Sequence, residues 1–389
     1  METRWREVAV AVLAGIAAAL HVGKVPPALP FLRDQMGLDL VEAGWLMGLV
    51  SLMGGLLGLA VGRTADRLTP RRSMLMSLSL LALGSVLGAV SQQPAQLFAT
   101  RIVEGIGLIF TVVAAPALIT SATLPRDRGL AFAAWAAWLP IGVGSMMLAS
   151  PFLLSLWGWR GSWIAAALLT VIPLITLARA GTSLGTALPS TEMSFIQGAR
   201  LTAARSTSWL LAGMFLLYSS SFMSVFGFLP TMLIEENDVA LVAASAMTAT
   251  AVLANVPGNF FGGYLLRRGV KRWCLIVIAF SLLSFCAFIV FTEGLPLAAR
   301  YPAALVYAAA GGLLPAAIMS ALPTYAARED LVSTISGFVM QGTNIGQFLG
   351  PLLLASVVTV YGWGAAPVFV LLTGGTGIGL AWLFRSHDR

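Results

Sequence analysis

Twelve apolar runs, each long enough to cross a bilayer as a helix, leave this chain almost no alternative to a bundle of membrane spans. They fall at 8–30, 40–61, 73–92, 95–120, 129–150, 159–179, 208–233, 240–266, 273–292, 297–322, 331–359 and 364–384. A spanning helix needs about 20 predominantly apolar residues, because the hydrocarbon core is about 30 Å thick. With 58% hydrophobic and 10% charged side chains in 389 residues, the chain could not hide its apolar surface in a soluble fold, where about 25% of residues are charged. The alternating segments of a strand barrel are absent. An all-α membrane protein follows, and the lipid bilayer is its first partner.

The net charge of +7 could suggest nucleic acid, but the basic residues are spread through short loops rather than gathered on one segment, so no nucleic-acid partner is expected. Topology accounts for them better. With both termini on one side, 18 of the 23 lysines and arginines fall on that face and only Arg33, Arg160 and Arg300 on the other. The positive-inside rule makes the first face cytoplasmic and places Glu235, Glu236 and Asp238 outside. Lys24 and Arg101 remain as the basic residues within spans. Met1 to Glu7 is short and charged and runs into the first span, so no cleavable signal is expected. Cys274 and Cys286 share one apolar run and have neither metal spacing nor a disulfide framework.

The charged segment from Gly62 to Arg72 joins spans two and three. Its Gly62, Asp66, Arg67, Arg71 and Arg72 resemble the Gly-x-x-x-Asp-Arg-x-Gly-Arg-Arg signature of the major facilitator superfamily, with Thr69-Pro70 departing where that family has glycine. The resemblance implies twelve transmembrane helices in two pseudo-symmetric six-helix halves, a monomer, and these five residues acting in a cytoplasmic gate. Comparison of the halves at a shift of 200 residues agrees. Leu29-Pro30 repeats as Leu229-Pro230, Gly62 as Gly262, Arg67 as Arg267, and Gly142 with Pro151 as Gly342 with Pro351. With a small slip, Gly158-Trp159 returns as Gly362-Trp363. The division expected is 1–180 for the first half, 181–207 for a flexible cytoplasmic linker and 208–389 for the second half. In the resembled fold, solute binds near the bilayer midplane between parallel repeats.

Within the spans, Lys24 is costly enough to be read as functional, and His21 lies three residues earlier on the same helix face. The competing expectation is that Lys24 snorkels to the headgroups. Arg101-x-x-Glu104-Gly105 resembles the family's fourth-helix motif; the two side chains lie one turn apart and can pair. The resemblance implies proton coupling or conformational control for Arg101 and Glu104, against the plainer reading that the pair orients its helix near the outer interface. Together Lys24, His21 and Arg101 could bind an anion, with His21 as a donor or a titrating group. In the second half, Tyr218, Asn255, Gln341 and Asn344 are the expected solute contacts, with helix packing as the alternative for each. Weaker candidates are Asn259, Gln347, Tyr307, Trp135, Trp138 and the serines after Tyr218. Glycines recur every four residues at Gly54, Gly58 and Gly62 and again at Gly342, Gly346 and Gly350. In the resembled fold these strips would meet across the halves as a sliding contact, with static packing as the other reading.

Span five carries only a degraded form of the glycine-rich, Gly-Pro-ended motif of drug-exporting branches. Gly311-Gly312-Leu313-Leu314-Pro315 and Gln341-Gly342-x-Asn344-Ile345-Gly346-Gln347 resemble the cyanate-permease-like branch instead. The expected function is a secondary active transporter, a permease of the bacterial inner (cytoplasmic) membrane, moving a small anionic solute by alternating access with protons as coupling ion. Alternatives are a proton-coupled exporter of drugs or metabolites and a non-transporting sensor or assembly protein. No cofactor or metal is implied, and no nucleophile, metal or phosphate-loop arrangement suggests an enzyme.

Overall fold

The computed structural model describes residues 3–67, 69–124, 127, 131, 132, 134, 135, 137–179, 195–292, 294–328 and 331–388, without the side chains of 58–67, 195 and 333. Among these residues the regular structure is helical throughout. Eleven helical segments among the described residues are long and apolar enough to cross a membrane. One of them, Trp138–Arg179, has 42 residues and would be about 63 Å long if straight, twice the thickness of a bilayer core. It folds back at Trp157 and Gly158, so it supplies two spans and the expected twelve are present.

Two compact units compose the chain. The first comprises Met1–Asp39, Leu49–Ser190 and Ala240–Ala249. It holds α1 (Trp5–Gly23), α2 (Val25–Met36), most of α3 (Leu40–Arg67), α4 (Pro70–Ala89), α5 (Pro94–Ala122) and α6 (Trp138–Arg179). Small residues bring these helices together. A Cβ on Gly23 would stand 2.7 Å from the Val143 carbonyl oxygen, and one on Gly105 2.6 Å from that of Val50. Where hydrocarbon surrounds the bundle, such close approach supplies the packing that water exclusion supplies in soluble proteins. The lipid-facing side is correspondingly apolar, with Leu168 64% and Ile172 58% exposed.

The second unit comprises Leu40–Gly48, Thr191–Val239 and Thr250–Arg389. Its helices are α7 (Phe195–Ala203), α8 (Ser206–Asn237), α10 (Asn255–Arg267), α11 (Arg272–Phe291), α12 (Leu297–Tyr325), α13 (Val332–Tyr361) and α14 (Ala366–Phe384), while α9 (Leu241–Leu253) straddles the division.

Three expectations need correction. The charged segment is not a loop from Gly62 onward: α3 stays helical to Arg67, and α4 starts at Pro70 with Thr69 accepting from the Arg72 backbone N–H at 3.3 Å. Apolar side chains end where the bilayer ends, but backbone hydrogen bonding carries the helix further. The expected linker holds helix α7 in its second part, where the Trp209 indole donates to the Ala203 carbonyl at 2.8 Å. The glycine strip of α13 is already used within the second unit. A Cβ on Gly342 would lie 2.6 Å from the Ala212 carbonyl oxygen of α8, and one on Gly346 or Gly350 would overlap that of Leu216 or Ser220. Also within the second unit, the Leu40–Gly48 stretch packs on α13 through Gly44, 3.0 Å from the Pro351 carbonyl oxygen by the same measure, and Gly48, 2.9 Å from that of Phe348.

The repeated Gly-Trp has a repeated backbone. Gly158 has φ 60° and ψ −165°, and Gly362 has φ 77° and ψ 173°, both in a region open essentially to glycine alone. Nothing lies within 4 Å of a Cβ built at either position, so alanine there would meet backbone strain without steric overlap. Gly158→Ala and Gly362→Ala should each lose roughly 1–2 kcal/mol. Thermal unfolding of the purified protein, followed by tryptophan fluorescence, should show both transitions lowered. An unchanged midpoint would mean that the corner relaxes.

Candidate functional site

The first span breaks at Lys24, and the local sequence explains why. Pro26 and Pro27 lack backbone N–H groups, so the carbonyls of Val22 and Gly23 lose their helical donors and α1 ends where α2 begins. Lys24 itself still donates its backbone N–H to Leu20 at 3.0 Å. Beside the break, the Arg101 guanidinium donates from Nη1 to the His21 carbonyl at 2.8 Å. A break of this kind is tolerated at membrane depth only where protein groups satisfy it.

Around the break lies a fully buried polar cluster. Lys24, His21, Arg101 and Glu104 are each 0% exposed. Glu104 on α5 accepts from Lys24 through Oε1 and from Arg101 through Oε2, and its Oε1 lies 3.1 Å from His21 Nδ1. Lys24 Nζ also donates to Ser85 Oγ of α4 at 2.7 Å, lies 3.4 Å from His21 Nδ1, and sits 4.6 Å from the centre of the Trp163 ring of α6. The other imidazole nitrogen, Nε2, is 2.9 Å from Thr170 Oγ1, also on α6. Lys24 is therefore not snorkelling, and the Arg101–Glu104 pair does more than orient one helix. Its carboxylate ties together α5 and the α1–α2 break.

Close fit shapes the cluster. A Cβ on Gly84 of α4 would stand 2.7 Å from Glu104 Cγ, and one on Gly88 2.5 Å from the Trp163 ring. Larger residues at either position would push the carboxylate or the indole away from Lys24.

The second unit has a neutral counterpart. A break at Ala254, with Pro257 in the turn that follows, puts Asn255 at the start of α10. Asn255 Nδ2 donates to the Tyr218 hydroxyl and to the Ala308 carbonyl, each at 3.1 Å, and its Oδ1 accepts from Asn259 at 3.4 Å. The Tyr307 hydroxyl is 2.6 Å from Ser221 Oγ. Phe215, Tyr218, Phe222, Phe226 and Tyr307 form a file of rings with neighbouring centroids 4.7–5.8 Å apart. A Cβ on Gly311 would stand 3.1 Å from the Tyr218 ring, which explains a glycine there.

Gln341 and Asn344 are half-buried on α13. Trp135 and Trp138 stack at 5.1 Å, and a Cβ on Gly15 would overlap the Trp135 ring, so they pack α1. Arg71 donates to the Leu177 carbonyl at 3.2 Å and to that of Ala178 at 2.9 Å, fastening the end of α6. The side chains of Asp66 and Arg67 and the surroundings of Gly62 lie outside what is described, and Arg72 enters through its backbone N–H.

Sequence reasoning missed Ser85, Thr170 and Trp163 as partners of the cluster. It also missed Arg300, assigned to an outer loop but 6% exposed in the first turn of α12, where it donates to Asn237 at 3.3 Å and to the Thr292 carbonyl at 2.5 Å.

The sequence model of the Major Facilitator Superfamily matches residues 10–340 and 214–389. A Bacillus subtilis (strain 168) protein named for niacin/nicotinamide transport is 24% identical over 359 residues, covering 90% of this chain and 84% of that one. The cyanate transport protein CynX of Escherichia coli (strain K12) is 25% identical over 349 residues, covering 86% of each. Among solved structures, a bacterial homolog of the human lysosomal transporter Spinster, inward-facing and unoccupied, superposes with a TM-score of 0.84 at 14% identity, covering 99% of this chain and 98% of that one.

Proposed function

The chain belongs to the major facilitator superfamily of membrane transporters, and from that premise we propose that it moves a small anionic solute across a bacterial cytoplasmic membrane by alternating access, with protons as the coupling ion. The observation that carries the anionic reading is the charge count of the buried cluster. Two cations, Lys24 and Arg101, share the single carboxylate of Glu104, which leaves one formal positive charge with His21 neutral. Two buried cations gathered on one carboxylate make the cluster electropositive, which favours an anion beside it. A relative named for cyanate transport agrees with this sign. Tyr218 and Asn255 supply neutral hydrogen-bonding groups for the remainder of the solute, joined by Gln341 and Asn344 when the cavity opens. Gly62, Asp66, Arg67, Arg71 and Arg72 form the cytoplasmic gate, with both termini on that side, and Glu104 with Arg101 carries the coupling.

The test is thermal stabilisation of the purified protein by cyanate, nicotinate and other small carboxylates, against cationic drugs of matched concentration. A ligand at 100 times its Kd raises stability by about 2.7 kcal/mol through mass action. Small anions should raise the unfolding midpoint of the wild-type protein, and Lys24→Met should lose the effect while remaining folded. A response to bulky cations or neutral drugs alone would overturn the anionic reading in favour of an exporter.

A further inference from the structure

We propose that Thr170 is a positioning residue for Lys24, acting through His21 by holding its imidazole in the tautomer with hydrogen on Nε2. The argument is a count of hydrogens. Thr170 Oγ1 lies 2.7 Å from the Ala166 carbonyl, which can only accept, so the single hydroxyl hydrogen goes there. The hydroxyl thus presents a lone pair to His21 Nε2 at 2.9 Å, and that nitrogen must carry a hydrogen to bond it. Ser85 works the same way. Its hydrogen goes to the Trp163 carbonyl at 2.8 Å, leaving a lone pair for Lys24 at 2.7 Å.

The three ammonium hydrogens of Lys24 then have three acceptors: Glu104 Oε1, Ser85 Oγ and His21 Nδ1. The third works only if Nδ1 is bare. In the opposite tautomer, Nδ1–H would turn to Glu104 Oε1 at 3.1 Å, leaving the ammonium without its third acceptor, and the Thr170 hydroxyl would have to leave the Ala166 carbonyl to donate to Nε2. The charged groups around the ring are Lys24 at the α1–α2 break and Arg101 with Glu104 on α5; α4 and α6 present Ser85 and Thr170, which are uncharged. A doubly protonated ring would put a third cation beside one carboxylate. The neutral tautomer with hydrogen on Nε2 keeps both the Thr170–Ala166 bond and the third acceptor of Lys24, while Glu104 Oε1, 3.1 Å from Nδ1, is engaged by the ammonium.

The consequence for transport rests on the anionic reading above: Lys24 is held as an ammonium by two neutral acceptors and one charged one, its direction set from α6 through a ring. The tautomer assignment is independent of the solute, and so is its test. The chain has two histidines, His21 and the exposed His387, so histidine-selective 15N labelling in a His387→Asn background reports on His21 alone. Near neutral pH, solid-state spectra should show a hydrogen-bearing Nε2 and a bare Nδ1, and Thr170→Ser should leave them unchanged. Thr170→Val deprives Nε2–H of its acceptor and should populate the tautomer with hydrogen on Nδ1. A wild-type or Thr170→Ser ring with hydrogen on Nδ1 or on both nitrogens would overturn the proposal, and so would a Thr170→Val spectrum identical to wild type. If the valine variant does not fold, the first two spectra still decide the tautomer. Failure of small anions to stabilise the protein would remove the transport reading and leave these spectra as they are.

Discussion

Glu104→Gln should be the most damaging single substitution in the N-terminal cluster, lowering stability by about 3–5 kcal/mol, the usual cost of removing one partner from a buried ion pair. Glutamine keeps the shape and an accepting oxygen but not the charge. Lys24 and Arg101, both 0% exposed, would then lose the carboxylate charge they share. Lys24→Met should cost much less, because Arg101 and Glu104 remain as a balanced pair. The charge argument makes a further demand on the double variant. Glu104→Gln alone takes the shared carboxylate charge from two cations and Lys24→Met with Glu104→Gln takes it from one, so the second substitution should restore part of what the first removed. The measurement is the unfolding midpoint and the yield of monodisperse protein for the three variants and wild type. An order in which the double variant is no better than Glu104→Gln would show that lost hydrogen bonds, rather than charge, set the cost.

That cluster shows how far a chain of this kind can be read before it is folded. His21 with Lys24, and Arg101 with Glu104, are each three residues apart on one helix, and helical spacing makes both pairs legible. Their meeting is not, because it depends on which faces of α1 and α5 pack together. Ser85 and Thr170 are single small hydroxyls in apolar runs, and no periodicity separates them from the many such residues that bond their own helix. Twelve spans are legible because the bilayer sets a length that apolar runs must match. The extension of α3 to Arg67 is not, since counting apolar residues finds the edge of the membrane rather than the end of the helix. Gly158-Trp159 and Gly362-Trp363 are visible as a repeat, and their shared positive φ is the physical reason for it. Glycine spacing in α13 identified a close-packed face without identifying α8 as its partner.

Gly258→Ala should destabilise the second unit by about 3 kcal/mol, the upper end of the usual overpacking cost, although alanine is by about 1 kcal/mol the better helix former. Gly258 lies where α10 crosses α12, and a Cβ there would overlap the Ala309 carbonyl oxygen. The obstacle is backbone, so no side chain can turn aside. The crossing is tight from both sides, because a Cβ on Gly312 of α12 would stand 2.5 Å from the Asn259 backbone nitrogen and would overlap the Asn255 carbonyl. Relief requires the two helices to separate, and separation would also stretch the bond from Asn255 Nδ2 to the Ala308 carbonyl. Gly263 on the same helix is the internal control, since nothing lies within 4 Å of a Cβ built on it. Gly263→Ala should therefore raise the unfolding midpoint slightly while Gly258→Ala lowers it. The opposite signs follow from one substitution made twice on one helix, which separates the steric cost of the crossing from the helix propensity common to both. Equal shifts in the two variants would mean that α10 and α12 are not held at this distance in the membrane protein. A lowered midpoint confined to Gly258→Ala would identify the crossing of α10 with α12 as a contact that leaves no room for a side chain.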